Sequence, residues 1–177
     1  MTQQQEQRQI SSSILVPDAL IHLGFHQEIQ RVETQTNNTI CQWLDRYSGI
    51  DYITRDSYNN IGGIASRIRF VSPAHSEPYQ EFTIRCDKYS GITSEYDKRI
   101  DSIKNGFMFP TYTMQSWYSG SCFICGASML TKDLYQFMSD YDYLVESNYS
   151  DRAFKCVKWK DIQRTGFNIT IKDCGSL

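Results

Sequence analysis

The sequence predicts a mixed α/β (α+β) fold with a single mixed β-sheet. In some segments the apolar residues recur every three or four positions, which is typical of helices. In others they alternate with polar residues, which is typical of strands. The segments follow the order α-βββ-α-β, with flanking helices and a C-terminal strand-helix-strand extension. We expect residues 1–13, which are rich in Gln and Ser, to be a flexible lead-in to one domain over residues 14–177.

The first half of the chain is predicted to form one long helix and three strands. The helix covers about residues 26–46, and Glu33 lies along its apolar stripe. The strands cover residues 49–53, 63–71 and 79–86, and apolar and polar residues alternate clearly in the last two. Their short connections predict an antiparallel meander.

A capping box marks the start of the second helix. The Ser94 hydroxyl and the Asp97 carboxylate can satisfy backbone N–H groups reciprocally, so a helix is predicted over residues 94–105. This helix can cross over to a parallel strand at 109–118. The remaining predicted elements are a strand at 122–129, a helix from Thr131 to Met138, a strand at 154–159, a short helix at 160–165 and a last strand at 167–172.

Composition and charge exclude several classes of protein. The aromatic content of 14% is too high for a disordered chain. A formal net charge of −2 excludes a uniformly basic nucleic-acid coat, although it allows a local basic site. No apolar run approaches the ~20 residues of a membrane span, and no secretory signal is recognisable. We therefore expect a cytoplasmic protein with reduced cysteines and no membrane association, whose oligomeric state the sequence leaves open.

The order α-βββ-α-β over about residues 26–118 resembles the core of the PD-(D/E)XK nuclease superfamily. In that family a helix supplies a Glu, one strand an Asp, and a later strand an acid followed two positions on by Lys. By this resemblance, the corresponding acids in this sequence are Glu33, Asp51 in Gly-Ile-Asp, and Glu81 in Glu-Phe-Thr. Thr83 stands at the position of the family's Lys, so a cation would have to come from an arginine such as Arg85 or Arg67.

This resemblance implies a phosphodiesterase that depends on Mg²⁺ or Mn²⁺. Asp51 and Glu81 would be the metal ligands, and Glu33 would be a third ligand or would orient the attacking water. Arg85 or Arg67 would stabilise the developing negative charge. The same charges also have a structural interpretation, because opposite charges on adjacent strands commonly pair. In that case the chain would be a degenerate relative of the nucleases that binds nucleic acid without cleaving it.

A basic stretch at residues 151–164 is the predicted nucleic-acid contact. Basic residues interleaved with aromatic ones suit contacts with phosphates and bases. The residues predicted to bind are Lys155, Lys158, Trp159, Lys160 and Arg164. A solvated strand face would give the same pattern, so the sequence leaves both interpretations open.

The alternative function belongs to a different class. With twelve tyrosines, the chain could be a non-catalytic interaction or inhibitor protein, of the kind that phages and mobile elements carry. The two functions differ in one requirement, since a nuclease needs Glu33, Asp51 and Glu81 to meet around one metal-sized gap. Zinc is not favoured, because Cys122 and Cys125 lie in a strand-like segment and no second close Cys pair follows.

Overall fold

The fold class is confirmed by a computed structural model, in which helices and strands combine around a mixed sheet. The structure describes residues 11–25, 28–32, 39–55, 60–71, 77–86, 93–141, 145–147 and 153–173. Its α-helices are α1 (Val16–His22), α2 (Thr39–Trp43), α3 (Glu95–Asn105), α4 (Thr131–Asp140) and α5 (Trp159–Arg164). A π-helical turn at Ser11–Leu15 precedes α1, and a second one at Leu44–Ser48 extends α2. None of the helices in these ranges is long and apolar enough to cross a membrane.

The strands form two sheets. The large sheet contains β1 (Ile29–Arg31), β2 (Tyr52–Arg55), β3 (Ile61–Phe70), β5 (Tyr112–Ser119), β6 (Cys122–Leu130) and β9 (Ile169–Asp173), and its strand order is β1-β2-β3-β5-β6-β9. The small sheet contains β4 (Glu81–Arg85), β7 (Val145–Ser147) and β8 (Ala153–Lys158), in the order β4-β8-β7. Among the strands of the described residues, only β3 and β5 pair in parallel, and α3 lies in the crossover between them as the sequence predicted.

The expectation of a single sheet is wrong for β4. This strand, predicted as the third member of a meander with β2 and β3, pairs instead with β8, where Phe82 lies opposite Val157. Phe82 and Ile84 pack into the core together with Val157 and Trp159. Period-two alternation fixes which residues share a face of a strand but leaves its partner open.

The long first helix is also corrected. Ile29–Arg31 is the edge strand β1, which pairs antiparallel with β2, and regular α-helix begins only at Thr39. The spacing of Ile29 and Val32 suits one turn of a helix, but pairing with β2 satisfies the backbone of this segment instead. Glu33 lies outside the described residues. The helical turn at Ser11–Leu15 includes part of the segment that we expected to be a flexible lead-in.

The large sheet carries a core on each of its faces. On one face α1 packs against the sheet, and the buried Tyr118 hydroxyl donates hydrogen bonds to the Leu15 carbonyl at 2.9 Å and to Asp18 at 2.8 Å. On the other face lie α4, α5 and the small sheet, packed around Phe82 and Trp159. The edge of the small sheet therefore stands over one face of the large sheet, and a cleft opens between them.

The turn before β2 depends on a contact from α3. The extension of α2 ends at Gly49, whose φ is +60°. The buried Arg99 guanidinium donates hydrogen bonds to the carbonyls of Ser48 and Gly49. A Cβ on Gly49 would lie 2.7 Å from Nη2 of Arg99. Arg99 thus holds the turn that leads into Asp51.

Replacing Gly49 by Ala should destabilise the fold more than the same change at Gly106. Both glycines have positive φ, but no described atom lies within 4 Å of a Cβ at Gly106. The Gly106→Ala variant should lose about 1–2 kcal/mol from backbone strain alone. The Gly49→Ala variant should lose a further ~1–3 kcal/mol, because it also collides with Arg99. Urea unfolding of both variants measures the difference, and equal losses would contradict the role given to Arg99.

Candidate functional site

A cavity of about 190 Å³ lies between the large sheet and the edge of the small one. We call it the inner cavity. Its walls come from β3, β4 and β5, from the start of α3 and from the turn before β2. Its polar lining consists of Asp51, Ser66, Arg67, Thr83, Glu95, Arg99, Thr113 and Gln115. Charged and neutral polar groups thus surround a space large enough for a small part of a ligand.

A second cavity of about 240 Å³ adjoins the first at Gly49, Glu95 and Arg99. We call it the outer cavity, and the two together the cleft. The further residues that line the outer cavity are Asp45, Tyr47, Ser48, Arg85, Thr93 and Lys98. Among the described lining residues of the cleft, four cations (Arg67, Arg85, Lys98, Arg99) face three carboxylates (Asp45, Asp51, Glu95).

Asp51 is held in the inner cavity by the backbone of β3. The pairing of β2 with β3 ends at Tyr52 and Ile64, and β3 continues beyond it. Beyond this point, Oδ2 of Asp51 accepts a hydrogen bond from the backbone N–H of Ser66 at 2.6 Å. It accepts a second one from the Ser66 hydroxyl at 3.1 Å. The carboxylate therefore replaces the missing strand partner, which also fixes its orientation.

Arg67 connects three parts of the fold. Its Nη1 donates to the carbonyl and the hydroxyl of Thr83 on β4, at 2.7 and 3.1 Å. Its Nη2 forms an ion pair with Oε2 of Glu95 on α3 at 3.0 Å. The side chains of this pair are only 28% and 27% exposed, so solvent screens them less than a surface pair. Arg67 thus joins β3, β4 and α3 across the inner cavity.

Gln115 completes the connection between the two sheets. This side chain is 2% exposed, and its Oε1 accepts from the Thr83 N–H at 3.1 Å and from the Thr83 hydroxyl at 2.9 Å. The same hydroxyl oxygen accepts from Arg67 and from Arg69, so its own proton is directed to Gln115. Because β4 is an edge strand, its outward backbone groups at Thr83 need partners, and Gln115 and Arg67 supply them.

Burial shifts the pKa of two further groups in this region, Arg69 and Tyr135. Burial lowers the pKa of the Arg69 guanidinium, as does its neighbour Arg67, while Cys156 and Glu81 act in the opposite direction. Burial also raises the pKa of the Tyr135 phenol, and the charge of Glu95 raises it further. Tyr135 therefore stays neutral at physiological pH. It is a packing group behind the cleft, and its ring stacks on that of Tyr96 at 5.5 Å.

The structure brings together some of the residues predicted to act in catalysis. Asp51 and Arg67 line the inner cavity, and Arg85 lines the outer one. Glu81 lines neither cavity, and its charge acts on Arg69. Glu33 falls outside the described residues, so its position relative to Asp51 stays a prediction.

Glu95 is an acid of the inner cavity that sequence reasoning missed. It was visible only as part of the capping segment at the start of α3. Its partner Arg67 lies 28 residues earlier in the chain. The sequence contains no local signal for a pair so far apart, although the alternation of β3 does place Arg67 on a polar face.

The predicted Mg²⁺ or Mn²⁺ site can be compared with the possible metal ligands among the described residues. No group of three or more His, Cys, Asp or Glu side chains within them could hold a metal ion. Asp51 and Glu95 share the inner cavity, but each carboxylate already accepts from a neighbour, Ser66 or Arg67. A metal held by Asp51 and Glu81 stays a prediction from the resemblance, and we derive no chemical step through it.

The predicted basic contact at residues 151–164 is corrected at Trp159. The indole of Trp159 is fully buried and packs against Phe82 at 6.1 Å between ring centroids, so it offers no face to a base. The Lys155 ammonium lies 4.5 Å from the centre of the Tyr96 ring. The other three cations predicted to bind, Lys158, Lys160 and Arg164, are exposed, and Arg164 lies 3.5 Å from Asp161.

No protein-family model matches this chain, and comparisons with curated proteins and with solved structures give no match either. The likeness to the PD-(D/E)XK nucleases therefore depends only on the order of elements and on the acids named above.

Replacing Gln115 by Met should destabilise the junction of the two sheets. The variant leaves the Thr83 N–H without its acceptor, which should cost about 1–3 kcal/mol of unfolding free energy. Gln136 on α4 is the matched control, because it is exposed and bonds only to Asp140 on its own helix, at 2.7 Å. Urea unfolding should show little loss for Gln136→Met. A Gln115→Met variant as stable as the wild type would show that this contact does not hold the sheets together.

Proposed function

We propose that this protein binds nucleic acid through the cleft, as a degenerate relative of the nucleases rather than as an active one. One observation carries the proposal. The outer cavity combines the exposed ring of Tyr47 with the cations Arg85, Lys98 and Arg99. Cations that contact phosphates and an aromatic ring that can stack on a base are the usual components of a nucleic-acid site.

The charge distribution supports the same function. The whole chain has a formal net charge of −2, yet among the described residues of the cleft the cations outnumber the carboxylates. Arg85 and Lys98 are exposed at the outer cavity, where a phosphate can reach them.

The arrangement of the inner cavity favours binding without cleavage. A metal-dependent phosphodiesterase would use Asp51 as a ligand together with at least one further acid. Here the Asp51 carboxylate completes the hydrogen bonding of Ser66, and the Arg67 cation is neutralised by Glu95. These groups are explained by the stability of the junction between the sheets.

A second function, the interaction or inhibitor protein, is favoured by a different observation. Three large apolar side chains on α2 and its extension are exposed: Ile40 by 64%, Trp43 by 59% and Tyr47 by 66%. At spacings of three and four residues they share one side of the helical segment. Aromatic residues grouped in this way are typical anchors of protein interfaces.

Reversing the charge of Arg85 and Lys98 should weaken nucleic-acid binding. We expect the double variant Arg85→Glu/Lys98→Glu to bind single-stranded and duplex oligonucleotides about tenfold or more weakly. The slope of log affinity against log salt should become shallower by about 1–2, because up to two phosphate contacts are lost. Fluorescence anisotropy across a salt series measures both quantities.

The control for this experiment is Lys132→Glu/Lys172→Glu. It changes the net charge equally, at two exposed lysines that do not line the cleft. It should bind almost as the wild type does. Equal losses in both double variants would mean that binding follows overall charge and not the cleft, and no binding by the wild type would favour the interaction protein.

A cleavage assay separates the binding protein from an active nuclease. We expect no cleavage of DNA or RNA by the wild type with Mg²⁺, with Mn²⁺ or with EDTA, and no difference in the near-isosteric variant Asp51→Asn. Cleavage that requires a metal and disappears in Asp51→Asn would contradict this expectation and establish the nuclease. Oligonucleotide binding by the variant would confirm that its cleft is intact.

A further inference from the structure

An exposed aromatic residue in the extension of α2, Tyr47, lies beside the cations of the outer cavity. Tyr47 lines that cavity together with Arg85 and Lys98. Trp43 lies four residues before Tyr47 on the same helical stretch. Residues four apart are neighbours on one side of a helix, so the two rings lie on the same side of this stretch.

We infer that the cleft takes single-stranded rather than duplex nucleic acid, with an unpaired base stacked on Tyr47 and the adjoining phosphates held by Arg85 and Lys98. This inference rests on the proposed function and names its substrate class. In a duplex each base face is covered by its neighbours, so an aromatic side chain can stack only on a base that is unpaired and splayed out. Every base has such a face, so the site should tolerate many sequences.

The charges beside the aromatic rings favour a polyanion over a protein partner. Lysine is depleted at the centre of protein interfaces, whereas arginine is common both there and at contacts with phosphates. Here Arg85, Lys98 and Arg99 line the same cavity as the ring of Tyr47. A strand that presents both bases and phosphates suits a cavity that is lined by both a ring and cations.

Tyr47 can be changed without loss of the fold, which makes the inference testable. Its side chain is 66% exposed, and it belongs to neither apolar core. Tyr47→Ala removes the ring, and Tyr47→Phe keeps it. Ile40→Ala is the matched control on the same side of α2, because Ile40 is 64% exposed but has no ring to stack on a base.

The experiment compares binding of a short single-stranded oligonucleotide with binding of the duplex of the same sequence. The wild type should bind the single strand more tightly. Tyr47→Ala should weaken single-strand binding by about 5- to 150-fold, which is the usual effect of losing one stacked base, and should leave duplex binding unchanged. Tyr47→Phe and Ile40→Ala should both bind as the wild type does.

Four results would overturn the inference, and they are distinguishable. The single-stranded substrate would be refuted if the wild type bound the duplex more tightly. It would also be refuted if Tyr47→Ala bound the single strand as tightly as the wild type does. In both cases the variant Arg85→Glu/Lys98→Glu would still test the proposed function independently. A loss in Ile40→Ala as large as in Tyr47→Ala would show a general apolar contact and not base stacking. Failure of the wild type to bind any oligonucleotide would refute the proposed function and the inference together.

Discussion

The hydrogen bonds and the ion pair of Arg67 hold this fold in its observed shape. The large sheet and the small sheet are separate hydrogen-bonded units. The Arg67 guanidinium connects them, because it reaches from β3 to the edge of β4 at Thr83 and to Glu95 on α3. Gln115 makes the second connection, from β5 to the Thr83 N–H. Removing one member of such a network leaves its partners buried and unsatisfied, which costs more than the network contributes while intact.

The same interactions explain why the cleft is divided into two parts with different chemistry. In the inner cavity the charged groups satisfy one another or the backbone, as Asp51 does with Ser66 and Arg67 with Glu95. In the outer cavity Arg85, Lys98 and Tyr47 are exposed. The inner part therefore stabilises the junction of the sheets, and the outer part presents two exposed cations and an exposed ring. Arg99 links the two, since it lines both cavities and holds the turn at Gly49.

Local signals in the sequence predicted the structure correctly where a segment satisfies the hydrogen bonds of its own backbone. Ser94 caps α3 by accepting from the Asp97 N–H at 3.0 Å, as predicted, and the helix ends at Gly106 in the left-handed region. The same reasoning failed for Ile29–Arg31, which reads as a turn of helix and forms a strand with β2. It also failed for Trp159. The basic residues around Trp159 predicted an exposed side chain, but the indole is fully buried.

By itself, the sequence determined the fold class, most of the strands and helices, and the polar face of β3 that carries Arg67. It determined these because periodicity and capping are local properties, which depend on residues only a few positions apart. Only the tertiary structure decided that β4 leaves the expected meander for β8, that Glu95 pairs with Arg67, and that Asp51 replaces a strand partner for Ser66. These outcomes depend on which buried polar groups can find partners across 15 to 28 residues of chain, and satisfying them is a property of the whole packed molecule.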